Sequence, residues 1–267
     1  PGLLGWFKDA PEDQQEAAIN AFSKMRAYMA DRDANVMIVF SNDHLLNWPI
    51  NNLPSYTVGI GSEHVGPADW YDSWLNQEEK YRVAGHPELA RYIVNACAKK
   101  GLSTAHLRDM KFDDGISVPT CWLNPDNKMK LVPISINAAC PPIPTPAEVY
   151  EVGKLMREVV QSFPSDDRVV LVGSGGLSHE PGGPRYFYID DDFDQWFLDL
   201  MAEGDHEKVL RECTFEKMEE AGSGGTVELI AWILVMAATK GPATVLDYVK
   251  SYSWRCASGW VVWPKVL

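Results

Sequence analysis

The sequence predicts an α/β fold, a single domain over residues 1–267 with a central, mostly parallel sheet flanked by helices. An amphipathic segment at 11–30 precedes a short apolar run at 35–40. The same helix-then-strand order returns at 146–162 and 168–172. Both apolar runs are continuous rather than alternating, as strands covered by helices on both faces must be.

In chain order, residues 11–30 carry Ala17, Ile19, Phe22, Met25 and Met29 among charges, the pattern of an amphipathic helix. Asn35-Val36-Met37-Ile38-Val39-Phe40 follows as a buried strand, ending in polar Ser41-Asn42-Asp43-His44. A helix over 86–99 opens on His86-Pro87, with proline where a first turn tolerates it. Leu131–Ile136 reads as a second strand, followed by a turn rich in proline at 141, 142, 144 and 146. A helix over 146–162 leads into a third strand, Arg168–Val172, which runs into Gly173-Ser174-Gly175-Gly176. Thr226–Thr239 is a nearly all-apolar helix. There is no repeat, low-complexity stretch or obvious linker, so one domain is the economical reading.

Composition narrows the partners. The formal net charge is -13 and 46% of the 267 residues are hydrophobic, enough for a sizeable core. An acidic chain repels phosphate backbones and anionic lipid, so neither nucleic acid nor a membrane is an expected partner. No apolar run approaches the roughly 20 residues that span a bilayer. Five scattered cysteines, odd in number and without C-x-x-C spacing, suit reduced thiols and a cytoplasmic location.

Chemistry concentrates at three places. His44 and His179 each follow a predicted strand, and open α/β sheets bind ligands beyond the carboxyl ends of their strands. Glu228 is the only charge in the apolar helix at 226–239. A buried carboxylate needs a cationic partner. That partner is a metal ion, a buried arginine such as Arg185 or Arg255, or water if the position lies near an exposed helix start. Two histidines and a carboxylate are a ligand set for a non-haem metal with open positions. Two other motifs compete. Gly173-Ser174-Gly175-Gly176 lacks the third glycine of a dinucleotide loop, and Pro181 and Pro184 spoil the helix that must follow it. Gly176-Leu177-Ser178-His179-Glu180 falls one glycine short of a hydrolase elbow around Ser178.

Ser41-Asn42-Asp43-His44, Val172 to His179, and Ala221-Gly222-Ser223-Gly224-Gly225-Thr226-Val227-Glu228-Leu229 occur in order. Together they resemble the class III extradiol ring-cleavage dioxygenases, typified by the β subunit of protocatechuate 4,5-dioxygenase. Gly85-His86-Pro87-Glu88-Leu89 and Asp114-Gly115-Ile116-Ser117-Val118-Pro119 fit the same pattern. The resemblance implies an Fe(II) enzyme that opens a catechol-type, aminophenol-type or hydroxypyridone-type ring with O2. His44 and Glu228 match iron ligands. His179 matches the acid/base histidine rather than a ligand, which corrects the triad above. Asn42, Ser178 and His179 are expected at the substrate.

Two departures accompany the resemblance. The family's other iron-binding histidine lies in a short motif that would precede Pro1, and no histidine elsewhere is an obvious substitute, His64 being a weak one. Asp114 stands where relatives carry a histidine that contacts a substrate hydroxyl, so Asp114 is expected in catalysis and substrate binding with an altered ring preference. A homodimer, or a hetero-oligomer with a second subunit, is the expected assembly. The alternative is a non-catalytic member that acts as a partner subunit or binding protein.

Overall fold

Val36–Asn42 (β1) is buried at every position, and the layers build outward from it. The computed structural model describes residues 1–77 and 79–264. The further strands are β2 (Tyr56–Gly59), β3 (Glu63–Gly66), β4 (Tyr81–Ala84), β5 (Ala105–Leu107), β6 (Lys130–Ile136), β7 (Val169–Gly173), β8 (Thr244–Ser251) and β9 (Cys256–Val262). The main sheet has the order β5-β2-β6-β1-β7. β6 and β7 flank β1 in parallel, Ile38 facing Val132 on one side and Leu171 on the other. β2 runs antiparallel to β6 and parallel to β5. β3–β4 and β8–β9 are separate antiparallel pairs.

Successive residues of a strand point to opposite faces. Val36, Ile38 and Phe40 accordingly enter one core, with Leu89 and Ile93 of the helix Pro87–Lys99, Val149 and Met156 of the helix Pro146–Ser162, and the helix Ile230–Ala238. Met37 and Val39 enter the other, with Phe22 of the helix Glu12–Ala30, Ile116 of the helix Asp114–Leu123, and Trp260. The helix Pro146–Ser162 begins at the end of the proline-rich turn. Thr145 and Glu148 form a reciprocal capping box there, so the first turn's free amides are satisfied locally.

The expected α/β sandwich is therefore present, with two refinements. The apolar helix expected over 226–239 starts as a 3-10 turn, Thr226–Leu229, before the α-helix Ile230–Ala238. In that tighter turn the Glu228 amide bonds to the Gly225 carbonyl at 3.0 Å. The expectation also lacked β2, β5 and both hairpins: β2 to β5 have only three or four residues each, and Asp247 and Lys250 interrupt β8 as Ser258 and Gly259 interrupt β9.

A cavity at the centre of β1 should be costly because β6, β7 and helices on both faces leave no room to collapse. Ile38→Ala is expected to lower unfolding free energy by roughly 2–5 kcal/mol, read from the midpoint of urea denaturation.

Candidate active site

The parallel arrangement of β1 and β7 puts Asn42-Asp43-His44 and the glycine loop at 173–176 at one rim of the sheet. Beyond β1 the chain turns sharply. The Asp43 carboxylate accepts from the amides of Leu46 at 3.1 Å and Asn47 at 3.2 Å, and Leu45 adopts φ 59°. This turn presents the half-buried His44 ring. Its Nδ1 lies 2.9 Å from Asp113 Oδ2, and its Nε2 lies 2.9 Å from Glu228 Oε1. The backbone amide of His44 also donates to Asp113, at 3.1 Å. Asp113 in turn caps the helix Asp114–Leu123, accepting from the Ile116 amide at 3.3 Å.

Glu228 reaches this place from the 3-10 turn and is held at three points. Oε1 accepts from the Asn42 side chain at 3.3 Å as well as facing His44, and Oε2 accepts from the Gly176 amide at 3.2 Å. The two arginines considered as its partners are elsewhere engaged. Arg185 pairs with Glu180 at 2.7 Å. Arg255 donates to the Tyr186 hydroxyl and lies over the Trp6 ring. Nor does Glu228 face water, since it is only 8% exposed. Its partner in this structure is His44.

Asp114 is also buried at this rim. Its Oδ1 has no hydrogen-bond partner and stands 3.6 Å from His44 Nδ1, while Oδ2 is 3.0 Å from the Pro1 amino nitrogen. Asp113, Asp114 and Glu228 thus crowd one imidazole in a low-dielectric setting. Burial favours the neutral imidazole, but Asp114, Asp113 and Glu228 outweigh it and raise the His44 pKa well above its ordinary value. Burial pushes the Glu228 carboxyl up, yet the His44 hydrogen bond and charge, and the charge of His179, hold it below its ordinary value. The cluster therefore demands a cation. Ligand atoms of His44, Asp113 and Asp114 lie within 4.8 Å of one another, a spacing at which one metal ion can be held. Imidazole and carboxylate donors, with a buried unpartnered oxygen on Asp114, fit a divalent transition metal.

His179 stands in a slot between two glycines. A Cβ at Gly176 would come 2.8 Å from His179 Cε1, and one at Gly225 would come 2.7 Å from Cδ2. Both glycine motifs are thereby explained by close approach to a ring. His179 Nδ1 is 2.8 Å from the Leu177 carbonyl. A carbonyl only accepts, so Nδ1 carries a hydrogen, and in the neutral ring Nε2 keeps its lone pair.

Ser178 differs from its expected place at the substrate. It is fully buried, and its amide and hydroxyl donate to the two carboxylate oxygens of Asp194 at 2.7 and 2.9 Å. Asp194 belongs to the helix Asp191–Glu203, so Ser178 fastens the glycine loop to that helix. Among the described residues no imidazole bonds to Ser178, and the hydrolase reading loses its nucleophile. Asn42 has both ends of its carboxamide committed, to Glu228 and to the Ala138 amide at 3.0 Å. It positions the carboxylate. Asp113 is the residue the sequence reading missed; its helix-capping position beside Asp114 was the available signal.

His64 is 2% exposed, its ring stacks on Phe112 at a centroid distance of 5.4 Å, and neither ring nitrogen has a partner. It is a core side chain rather than a substitute ligand. Burial pushes its pKa down to about 4.

The comparisons agree with this fold. The family model described as the catalytic LigB subunit of aromatic ring-opening dioxygenase matches residues 2–262, and the chain belongs to that family. It is 27% identical over 197 residues to a 2,3-dihydroxyphenylpropionate/2,3-dihydroxicinnamic acid 1,2-dioxygenase of Photorhabdus laumondii, covering 73% of this chain and 59% of that protein. It is 29% identical over 167 residues to a gallate dioxygenase of Pseudomonas putida, covering 61% and 48%. The chain spans about half the length of these curated relatives. A solved structure of an uncharacterized protein from Escherichia coli shares the fold, with TM-score 0.57 at 14% identity over 88% of this chain and 90% of that one. No helix among the described residues is long and apolar enough to cross a membrane.

His64 generates a pH prediction. Its folded pKa lies below the unfolded value near 6.5, so the unfolded chain binds the extra proton between those two values. Stability is then lost as pH falls from about 6.5 toward 4, by up to about 3 kcal/mol from this group. His64→Phe should flatten that part of the profile of unfolding free energy against pH. A slope unchanged from the unsubstituted protein would refute the assignment.

Proposed function

We propose that this protein is an Fe(II)-dependent extradiol dioxygenase that opens a catechol-type, aminophenol-type or hydroxypyridone-type ring with O2. One observation carries the reading. His44 and Glu228, 184 residues apart, meet at 2.9 Å at the sheet rim, and Asp113 and Asp114 complete an acidic pocket around the same imidazole.

We assign the metal to His44 Nε2 and Glu228 Oε1 rather than to the Nδ1 side of the ring, where Asp113 and Asp114 lie. When bound, iron supplies a Lewis acid for the two vicinal ring oxygens and the electrons that make O2 reactive. Asp113 keeps the His44 ring oriented through Nδ1, as carboxylate partners of ligating histidines do. Asn42 and the Gly176 amide hold both oxygens of Glu228. A proton on His44 must leave for a metal to bind there, so loading should weaken as pH falls.

His179 is the acid/base group. Its Nε2 lone pair can take a hydroxyl proton from the ring substrate and return it later in the reaction, a role an imidazole suits. Asp114 Oδ1, a free acceptor, suits a substrate hydroxyl or amine, and we assign Asp114 to substrate recognition on that ground. The described cysteines are all free, which supports a cytoplasmic enzyme. A homodimer, or a pairing with a second subunit, is the proposed assembly.

The test is anaerobic Fe(II) loading followed by oxygen uptake with a panel of catechols, aminophenols and hydroxypyridones. Stoichiometric iron and a coloured ring-opened product are expected; a protein that binds no metal is instead a non-catalytic member. Glu228→Ala should lose most bound iron. His179→Ala should keep its iron and lose roughly 10²–10⁴-fold in turnover; wild-type rates in that variant would remove the acid/base assignment.

A further inference from the structure

Arg255 ends the turn between β8 and β9, with φ 63° and its amide bonded to the Tyr252 carbonyl at 3.2 Å. A left-handed backbone is unfavourable for an arginine, and such strain collects where a side chain must be aimed. The half-buried guanidinium lies 4.1 Å from the centre of the Trp6 ring, 5.2 Å from that of Tyr186 and 5.9 Å from that of Phe187. It donates to the Tyr186 hydroxyl. Ring faces orient a cation without neutralising it. Among the described residues no carboxylate pairs with Arg255, and its other N–H groups bond to no protein atom. Arg185, on the same loop as Tyr186, is by contrast paired with Glu180 at 2.7 Å. Arg255 is a cation held in place and left unanswered.

Several segments bring this cage beside the acidic rim. Trp254 precedes Arg255 and packs on Gly2 so closely that a Cβ at Gly2 would meet its Cβ at 2.5 Å. One residue before Gly2, the Pro1 nitrogen is 3.0 Å from Asp114 Oδ2. Trp6 directly follows the short helix Gly2–Gly5, which spans about 6 Å. Tyr186 and Phe187 follow Arg185, whose partner Glu180 adjoins His179. On the other side of Arg255, burial pushes the Cys256 thiol up to about 11, and the charge of Glu228 adds to that rise.

We infer that Arg255 is a specificity-determining residue that binds a carboxylate on the substrate, so that, on the ring-opening reading above, the enzyme acts on an aromatic acid. Asp113, Asp114 and Glu228 repel an anion, so the rim accepts an acidic substituent only against a cation. A guanidinium presents a planar fork that matches both oxygens of a carboxylate. Trp6 and Phe187 flank that fork with apolar surface, which favours an acid carried on a ring over a bare inorganic anion.

Binding of acids that cannot be opened tests it. Benzoate, phenylacetate and 3-phenylpropionate are each titrated against their primary amides, with tryptophan fluorescence as the readout. None carries vicinal hydroxyls, so the measurement needs neither iron nor turnover. At least one acid should bind about tenfold or more tightly than its amide. Arg255→Gln should remove that preference, and Arg255→Lys, which keeps the charge without the fork, should keep only part of it. Acids and amides that bind alike, or a preference untouched in Arg255→Gln, overturn the inference. If Arg255→Gln does not fold, Arg255→Lys decides, and an undiminished preference there counts against the fork. With iron loaded, oxygen uptake on the corresponding dihydroxylated acids and their methyl esters adds a second readout. Arg255→Gln should raise KM for the acid about tenfold relative to the ester. Failure of every catechol to turn over would remove the dioxygenase reading and leave the acid–amide comparison standing.

Discussion

The site depends on one imbalance of charge. Three buried carboxylates, Asp113, Asp114 and Glu228, surround the His44 ring, and both ring nitrogens face a carboxylate oxygen at 2.9 Å. Buried carboxylates repel one another and lose their hydration, so the cluster persists only with positive charge at its centre. A proton on His44, which the three carboxylates favour, supplies part of that charge. A divalent cation meets the same demand with more charge, so folding and metal binding share one electrostatic requirement.

The fold delivers that cluster through strand ends and close backbone approach. β1 and β7, side by side and parallel, release their chains at one rim. The 3-10 turn at 226–229 brings Glu228 to the same rim, where the Gly176 amide and Asn42 fix both its oxygens. Gly176 and Gly225 leave the width of an imidazole between two backbones, and His179 fills it. The hydrogen bond from Nδ1 to the Leu177 carbonyl then chooses the tautomer. Ser178 contributes by anchoring the loop to Asp194. The lone pair of His179 is thus a consequence of backbone geometry two residues away.

Much of this was legible in the chain. The helix at 11–30 is observed at Glu12–Ala30, the run at 35–40 at Val36–Asn42, and the helix at 146–162 at Pro146–Ser162. Long periodic helices and continuous apolar strands announce themselves because burial acts on every residue of the element. β2, β5 and the two hairpins were illegible for the opposite reason. β2 and β5 are only four and three residues long, and the two hairpins mix exposed and buried positions, so none carries a continuous apolar signal. Asp113 was missed as a partner of His44 because a helix cap and a histidine-orienting carboxylate look alike in one dimension.

The sequence by itself determined the α/β layering, the placement of His44 and His179 after strands, and the anomaly of a single charge, Glu228, in an apolar helix. These follow from local periodicity and from the cost of burying a carboxylate, which are properties of contiguous residues. Tertiary structure alone decided which cation answers Glu228, that Ser178 and Asn42 hold other groups in place, and that His64 belongs to the core. Those outcomes are set by distances between residues tens to hundreds of positions apart, which exist only once the strands have paired.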